Sequence, residues 1–137
     1  MNKKICILVS NFYPKISKEL ITGAENYLKQ NEIKNYKILN VPGTFEIPIV
    51  LSKLIKMYDG FIVLGCVIRG QTSHFDFLCQ SVFNSILSLS TKHNVPVSNG
   101  ILTCENKKQA DKRANHKKGD KGGDAAKALI SVLKIIS

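Results

Sequence analysis

Short, unbroken apolar runs alternate along this chain with longer stretches whose apolar residues recur at helical spacing. That alternation restricts the fold more than any other feature of the sequence. The run Lys4-Ile-Cys-Ile-Leu-Val-Ser10 has strand length and no polar alternation, as expected when both faces of a strand are covered. Residues Ile16 to Gln30 then carry Ile16, Leu20, Ala24, Tyr27 and Leu28 on one face, the pattern of an amphipathic helix. Tyr36 to Val41 predicts a second, less apolar strand. Pro42-Gly43 turns the chain, and Thr44 is placed to cap a helix through Ile47, Val50, Leu51, Leu54 and Ile55. Pro48 falls in its first turn, where a missing N–H does little harm. After the turn Asp59-Gly60, Phe61 to Ile68 predicts a third strand. A helix follows with Leu78, Val82, Ile86 and Leu89 inward, widened by Phe75, Phe83 and Leu87, and ended by His93-Asn94 and Val95-Pro96. Val97 to Leu102 predicts a fourth strand; Asn99-Gly100 inside it predicts a bend, a bulge or the close approach of a ligand. A short polar helix with Ala110 and Ala114 comes next. The last helix turns Ala125, Ala126, Leu129, Leu133 and Ile136 inward.

At 137 residues the chain predicts one domain with a real core. Strand–helix alternation implies an α/β fold: a three-layer sandwich, its four-stranded parallel sheet covered by helices on both faces. Right-handed crossovers put all the strand ends on one edge. Phe12-Tyr13, Gly43 to Glu46, the stretch Gly65 to Leu78 and Asn99-Gly100 are all expected there. Parallel α/β proteins bind their ligands outside such strand ends.

The turn after the third strand, Arg69-Gly-Gln-Thr-Ser-His74, is the most chemically loaded stretch. Backbone N–H groups opening the next helix have no partners within it and favour an anion. His74 can carry protons near neutral pH. Arg69 is expected to form a structural salt bridge, with Asp76 and Asp124 as acids pairing with cations. Glu46 is either a favourable charge at a helix start or an acceptor for a polar substrate. Phe12 and Tyr13 are either a lid over core or part of a pocket. The convergence at one edge favours the functional alternative for Glu46 and Phe12.

The net charge of +10 raises the question of nucleic acid, but only Arg69 and Arg113 are arginines, and no basic motif is interleaved with aromatics. No nucleic-acid partner is expected. Lys107, Lys108, Lys112, Lys117 and Lys118 make a solvated face. The four cysteines, Cys6, Cys66, Cys79 and Cys104, lack metal-ligand spacing and are expected to be free and mostly buried. No metal site is expected. The apolar runs are too short to span a bilayer. The first, Ile5 to Val9, is shorter than a signal-peptide core and lacks a cleavage site, so a cytoplasmic protein is expected.

With these pieces assembled, the chain resembles the lumazine synthases, the penultimate enzymes of riboflavin biosynthesis. The matching stretches are Asn11-Phe12, Pro42-Gly-Thr-Phe-Glu-Ile-Pro48, Gly65-Cys-Val-Ile-Arg-Gly-Gln-Thr-Ser-His-Phe-Asp76, Gly100-Ile-Leu-Thr103, Glu105-Asn106, Gln109-Ala110, Arg113 and Asp120-Lys-Gly-Gly-Asp-Ala-Ala126. They run in family order over almost the whole chain. The resemblance implies a flavodoxin-like fold and a transferase that needs no cofactor. 5-Amino-6-(D-ribitylamino)uracil would condense with 3,4-dihydroxy-2-butanone 4-phosphate to give 6,7-dimethyl-8-ribityllumazine, releasing phosphate and water. It implies His74 as the catalytic proton carrier. Phe12, Thr44, Phe45, Glu46, Cys66, Val67, Ile68 and Asn99 would bind the pyrimidine substrate; Gln71, Thr72, Arg113 and Lys121 would bind the phosphate. Arg113 and Lys121 would complete a neighbouring subunit's pocket in a homo-oligomer, a ring of five.

The sequence departs from the family pattern at Asn99, where many members carry a phenylalanine over the pyrimidine; weaker stacking is expected there, with activity kept. The first strand also begins almost at Met1, without the arm that many members lay against a neighbour, so a free pentamer is expected rather than a shell of pentamers. A non-catalytic flavin- or lumazine-binding module on the same fold is the alternative. It predicts retained flavin colour and no condensation.

Overall fold

The computed structural model describes residues 2–71 and 73–137. Its elements are β1 (Ile5–Ser10), α1 (Pro14–Gln30), β2 (Tyr36–Val41), a single 3-10 turn (Thr44–Glu46), α2 (Ile47–Leu54), β3 (Gly60–Ile68), α3 (Phe75–His93), β4 (Val97–Cys104), α4 (Lys107–Ala114) and α5 (Lys121–Ile136). The strands form one parallel sheet in the order β2-β1-β3-β4. Helices cover both faces, giving the three-layer α/β sandwich of flavodoxin-like type.

Side chains alternate across a strand, so the two central strands feed two separate cores. Ile5, Ile7 and Val9 of β1 and Ile62 and Leu64 of β3 pack with Leu20, Ala24, Leu28, Leu129 and Leu133 of α1 and α5. Cys6, Leu8, Phe61 and Val63 point the other way, onto Ile47, Leu51, Val82 and Ile86 of α2 and α3. Both sets must be apolar, which is why β1 and β3 read as unbroken runs. Each such side chain, fully buried, contributes roughly 1.5–3 kcal/mol. The outer strands lack that double cover, and β2 is accordingly half exposed.

Five local expectations change. Thr44 does not cap α2: it is buried, it opens the 3-10 turn, and Glu46 takes the cap position without a side-chain cap bond. Asn99-Gly100 makes neither bend nor bulge. β4 keeps one register with β3 from Val97 to Cys104, two residues beyond the expected end. Gly100 answers instead to packing, because a Cβ there would lie 2.7 Å from Leu64 Cδ2 and 2.9 Å from Ala125 Cβ. Leu87 is exposed, being a step of about 100° round the helix from the inward stripe Phe75, Cys79, Val82 and Ile86. Ile136 is exposed as well, since α5 has run past the sheet: Leu129 already packs on Gly60, the first residue of β3.

The segment between α4 and α5 is tied down from outside. His116 meets Glu19 of α1 through its ring (Nδ1 to Oε1, 2.8 Å), and its backbone N–H donates to the same oxygen (3.2 Å). Asp120 caps α5 by accepting from Gly123 N (3.2 Å). Gly122 lets α5 cross α1 closely; a Cβ there would lie 2.0 Å from the Leu20 carbonyl oxygen. Gly122→Ala is therefore expected to destabilise the fold by about 1–3 kcal/mol, measured by denaturant unfolding; an unchanged midpoint would show that the crossing can open freely. The bonds from His116 also hold the Glu19 carboxyl below its ordinary 4.5. A lowered folded-state value means that this contribution is present above the unfolded value and lost as pH falls through the folded one. Glu19→Gln should thus be less stable than the parent at neutral pH, with the difference fading in acid; a pH-independent difference would exclude an ionic origin.

Candidate active site

Strand order places the site. The chain leaves β1 for β2 on one side and returns to β3 on the other, so a crevice opens beyond the carboxyl ends of β1 and β3. A cavity of about 290 Å³ lies there. The end of β1 supplies Phe12 and Tyr13; the turn after β2 supplies Gly43, Thr44, Phe45 and Glu46; the end of β3 supplies Cys66, Val67 and Ile68, with Gln71 and Leu78 beyond. Of the residues singled out from the sequence, Phe12, Thr44, Phe45, Glu46, Cys66, Val67, Ile68 and Gln71 thus meet in one place. Phe12 and Phe45 are 65% and 70% exposed, so their rings stand at the opening and not in the core. Tyr13, Gly43 and Leu78 were expected at this edge but carried no assigned role; Tyr13 adjoins Phe12 at the end of the first strand.

The turn after β3 is built for its shape. Gln71 N donates to Ile68 O (3.2 Å), and Gly70 adopts φ +87°. That combination belongs to a type II turn, which favours glycine at its third position. His74 takes the position before α3, is exposed, and lines a separate shallow hollow with Arg69, Ser73 and Asp76. Thr72 lies outside the described residues.

Asn99, Arg113 and Lys121 do not join this cavity. They line an open groove of about 660 Å³ along the edge strand β4, with Thr103 and Asp124. Asn99 is paired with Val63 in the body of the sheet, not at its carboxyl edge. Its side chain accepts from Ile101 N (3.0 Å).

The two arginines differ in what already engages them. Arg69 donates twice to Asp76 (2.9 and 3.2 Å) and once to Glu105 (2.8 Å), and stacks 4.4 Å from the centre of the Phe75 ring. Those acids hold its guanidinium protonated even more firmly than usual, and Arg69 in turn pulls the Asp76 carboxyl below its ordinary range. The expected structural salt bridge is present: it ties β3 to α3 and to the turn after β4. Arg113 donates only to the Thr103 carbonyl (3.3 Å) and the Cys104 sulfur (3.8 Å) among the described residues. Among the described residues no carboxylate pairs with it. Lys121 is 3.9 Å from Asp124 Oδ2, the pairing expected of that acid. The groove therefore presents a guanidinium able to accept an anion.

The thiols are poor candidates for nucleophiles. All four cysteines are free and buried. Burial pushes Cys6 up to about 11 and Cys66 up to about 12, with Cys104 adding to the effect on Cys66. Thiolate chemistry needs the opposite shift. Among the described residues no cluster of His, Cys, Asp and Glu has metal-binding geometry.

Comparison with known proteins identifies the family. A family model for 6,7-dimethyl-8-ribityllumazine synthase matches residues 2–137. A relative from Limosilactobacillus reuteri (strain DSM 20016) called 6,7-dimethyl-8-ribityllumazine synthase is 38% identical over 134 residues, covering 96% of this chain and 88% of its own. One of the same name from Desulfovibrio desulfuricans (strain ATCC 27774 / DSM 6949 / MB) is 37% identical over 137 residues, covering 97% and 88%. With a match over almost its whole length, the chain belongs to the 6,7-dimethyl-8-ribityllumazine synthase family.

Proposed function

We propose that the protein catalyses the condensation of 5-amino-6-(D-ribitylamino)uracil with 3,4-dihydroxy-2-butanone 4-phosphate to 6,7-dimethyl-8-ribityllumazine. The observation that carries this is the meeting of eight motif residues from three strand ends around one cavity in a chain of this family. The uracil stacks on Phe12, whose exposed ring offers a face at the opening. Glu46 accepts from the polar edge of the pyrimidine or from its ribityl hydroxyls. Thr44, Phe45 and the backbone of Cys66, Val67 and Ile68 shape the floor. The ring amine attacks the ketone carbon, and loss of water leaves an imine. The phosphate then departs. The ribitylamino nitrogen closes the second ring with loss of another water. Each step moves a proton, and we assign these transfers to His74, at the start of the helix beside the cavity. Gln71, Thr72, Arg113 and Lys121 bind the phosphate.

We further propose that the working unit is a homo-oligomer, a ring of five in which one subunit's Arg113 and Lys121 complete its neighbour's cavity. The separation of the two residue groups within one chain supports this, because the phosphate-binding cations would otherwise lie away from the pyrimidine. Exposed Phe45, Ile49, Phe77 and Leu87 add apolar surface of the kind that associates. We take the whole chain as one domain and the cytoplasm as its compartment; among the described residues no helix is long and apolar enough to cross a membrane.

Mixing both substrates with the protein should yield lumazine absorbance and one phosphate per product; no product above background from folded protein would reject the reaction. His74→Ala should turn over roughly a hundredfold or more slower with folding unchanged, and parental turnover would remove His74 from the mechanism. Arg113→Ala should raise the KM for the phosphorylated substrate roughly ten- to hundredfold. Mixed with Phe12→Ala and reassembled, it should recover part of the lost activity, whereas no recovery would favour a site within one subunit.

A further inference from the structure

One hydrogen bond spans the mouth of the cavity. Tyr13 Oη donates to Gln71 Oε1 at 2.6 Å, joining the end of β1 to the turn after β3 across 58 residues of sequence. Both residues line the cavity. Tyr13 is held at its other end. Its backbone is extended (φ −116°, ψ 91°) ahead of Pro14, as a residue before proline prefers. Its carbonyl accepts from Ser17 N (2.9 Å), and its ring meets Phe12 edge-on with centres 4.9 Å apart. The ring also packs against the core between the sheet and α1. Burial pushes the phenol upward, so at neutral pH it remains a donor. Gln71, by contrast, belongs to an exposed turn, and a glutamine side chain left to solvent samples many rotamers.

An amide has one acceptor end and one donor end. With the carbonyl oxygen taken by Tyr13, the N–H2 end is turned away from the tyrosine. We infer that Tyr13 is a positioning residue: it holds the Gln71 carbonyl so that the Gln71 amide N–H2 is presented to the phosphate of the phosphorylated substrate. This rests on the condensation proposed above. It makes the Tyr13–Gln71 pair, and not Gln71 alone, the determinant of phosphate recognition on this side of the cavity.

The test is a kinetic cycle on the full-length protein, with the parent as reference. Tyr13→Phe keeps the ring and removes the hydroxyl. It should raise the KM for the phosphorylated substrate roughly three- to tenfold, the loss of one ordinary hydrogen bond, while leaving kcat and the KM for the pyrimidine close to parental. Gln71→Ala should do the same, and the double variant should be no worse than Gln71→Ala. Gln71→Glu keeps the acceptor for Tyr13 but replaces the amide donors with negative charge; it should raise that KM further than Tyr13→Phe does. Additive effects in the double variant, or parallel rises in both substrates' KM values, would reduce Tyr13 to a packing role and overturn the inference while the parent's turnover keeps the reaction. A parent that makes no product would overturn the reaction, and this inference with it.

Discussion

Everything in this molecule rests on the parallel pairing of β1 with β3 at the centre of the sheet. Parallel strands cannot be joined by a tight hairpin, so each connection must travel the length of the sheet, and helices make that journey. The helices then bury both faces of the strands they cross. Water cannot reach the central backbone, and the side chains there must be apolar on both sides. The phenylalanine, isoleucines, leucines and valines of these two strands meet that demand. The carboxyl ends of the strands are where the cover stops. Polar residues can gather there at no cost to the core, and the cavity opens there.

Partnering, more than charge, separates the site from the rest of the surface. The chain carries twenty lysines and arginines against ten acids, so positive charge alone marks nothing. Arg69 lies in the most recognisable turn of the sequence, yet its donors are engaged by Asp76 and Glu105 and its plane by Phe75. It holds the turn in place. Arg113 sits in a polar, lysine-rich segment, and its guanidinium meets only a carbonyl and a sulfur among the described residues. Glu19 and His116 clamp the loop that follows it, and Gly122 brings α5 hard against α1, so the groove holding Arg113 and Lys121 is framed by packed elements.

The fold was highly legible because its signal is periodic. Strand runs and helical stripes follow from the geometry of each element and need no knowledge of the partner. Errors fell where a residue's surroundings depend on a neighbour distant in sequence. Thr44 looked like a cap, since threonine before a helix usually is one; the 3-10 turn under the β2 connection buried it instead. Gly100 looked like an interruption, and proved to be the place where α5 rests on β4. Leu87 and Ile136 matched an inward stripe, but one lies round the helix and the other beyond the sheet. The candidate residues were found by motif and strand-end position together; Tyr13 was placed at that edge but given no role, because its link to Gln71 spans 58 residues.

The sequence by itself determined the layered α/β architecture, the edge at which the cavity opens, and the family. These depend on residue type and spacing along one dimension. Only the tertiary structure decided that eight of the motif residues share one cavity while Asn99, Arg113 and Lys121 face another. Only it decided which arginine is already engaged, and that a tyrosine at the end of one strand holds a glutamine at the end of another. Hydrogen bonds and ion pairs act over a few ångströms in space, and distance along the chain does not measure that.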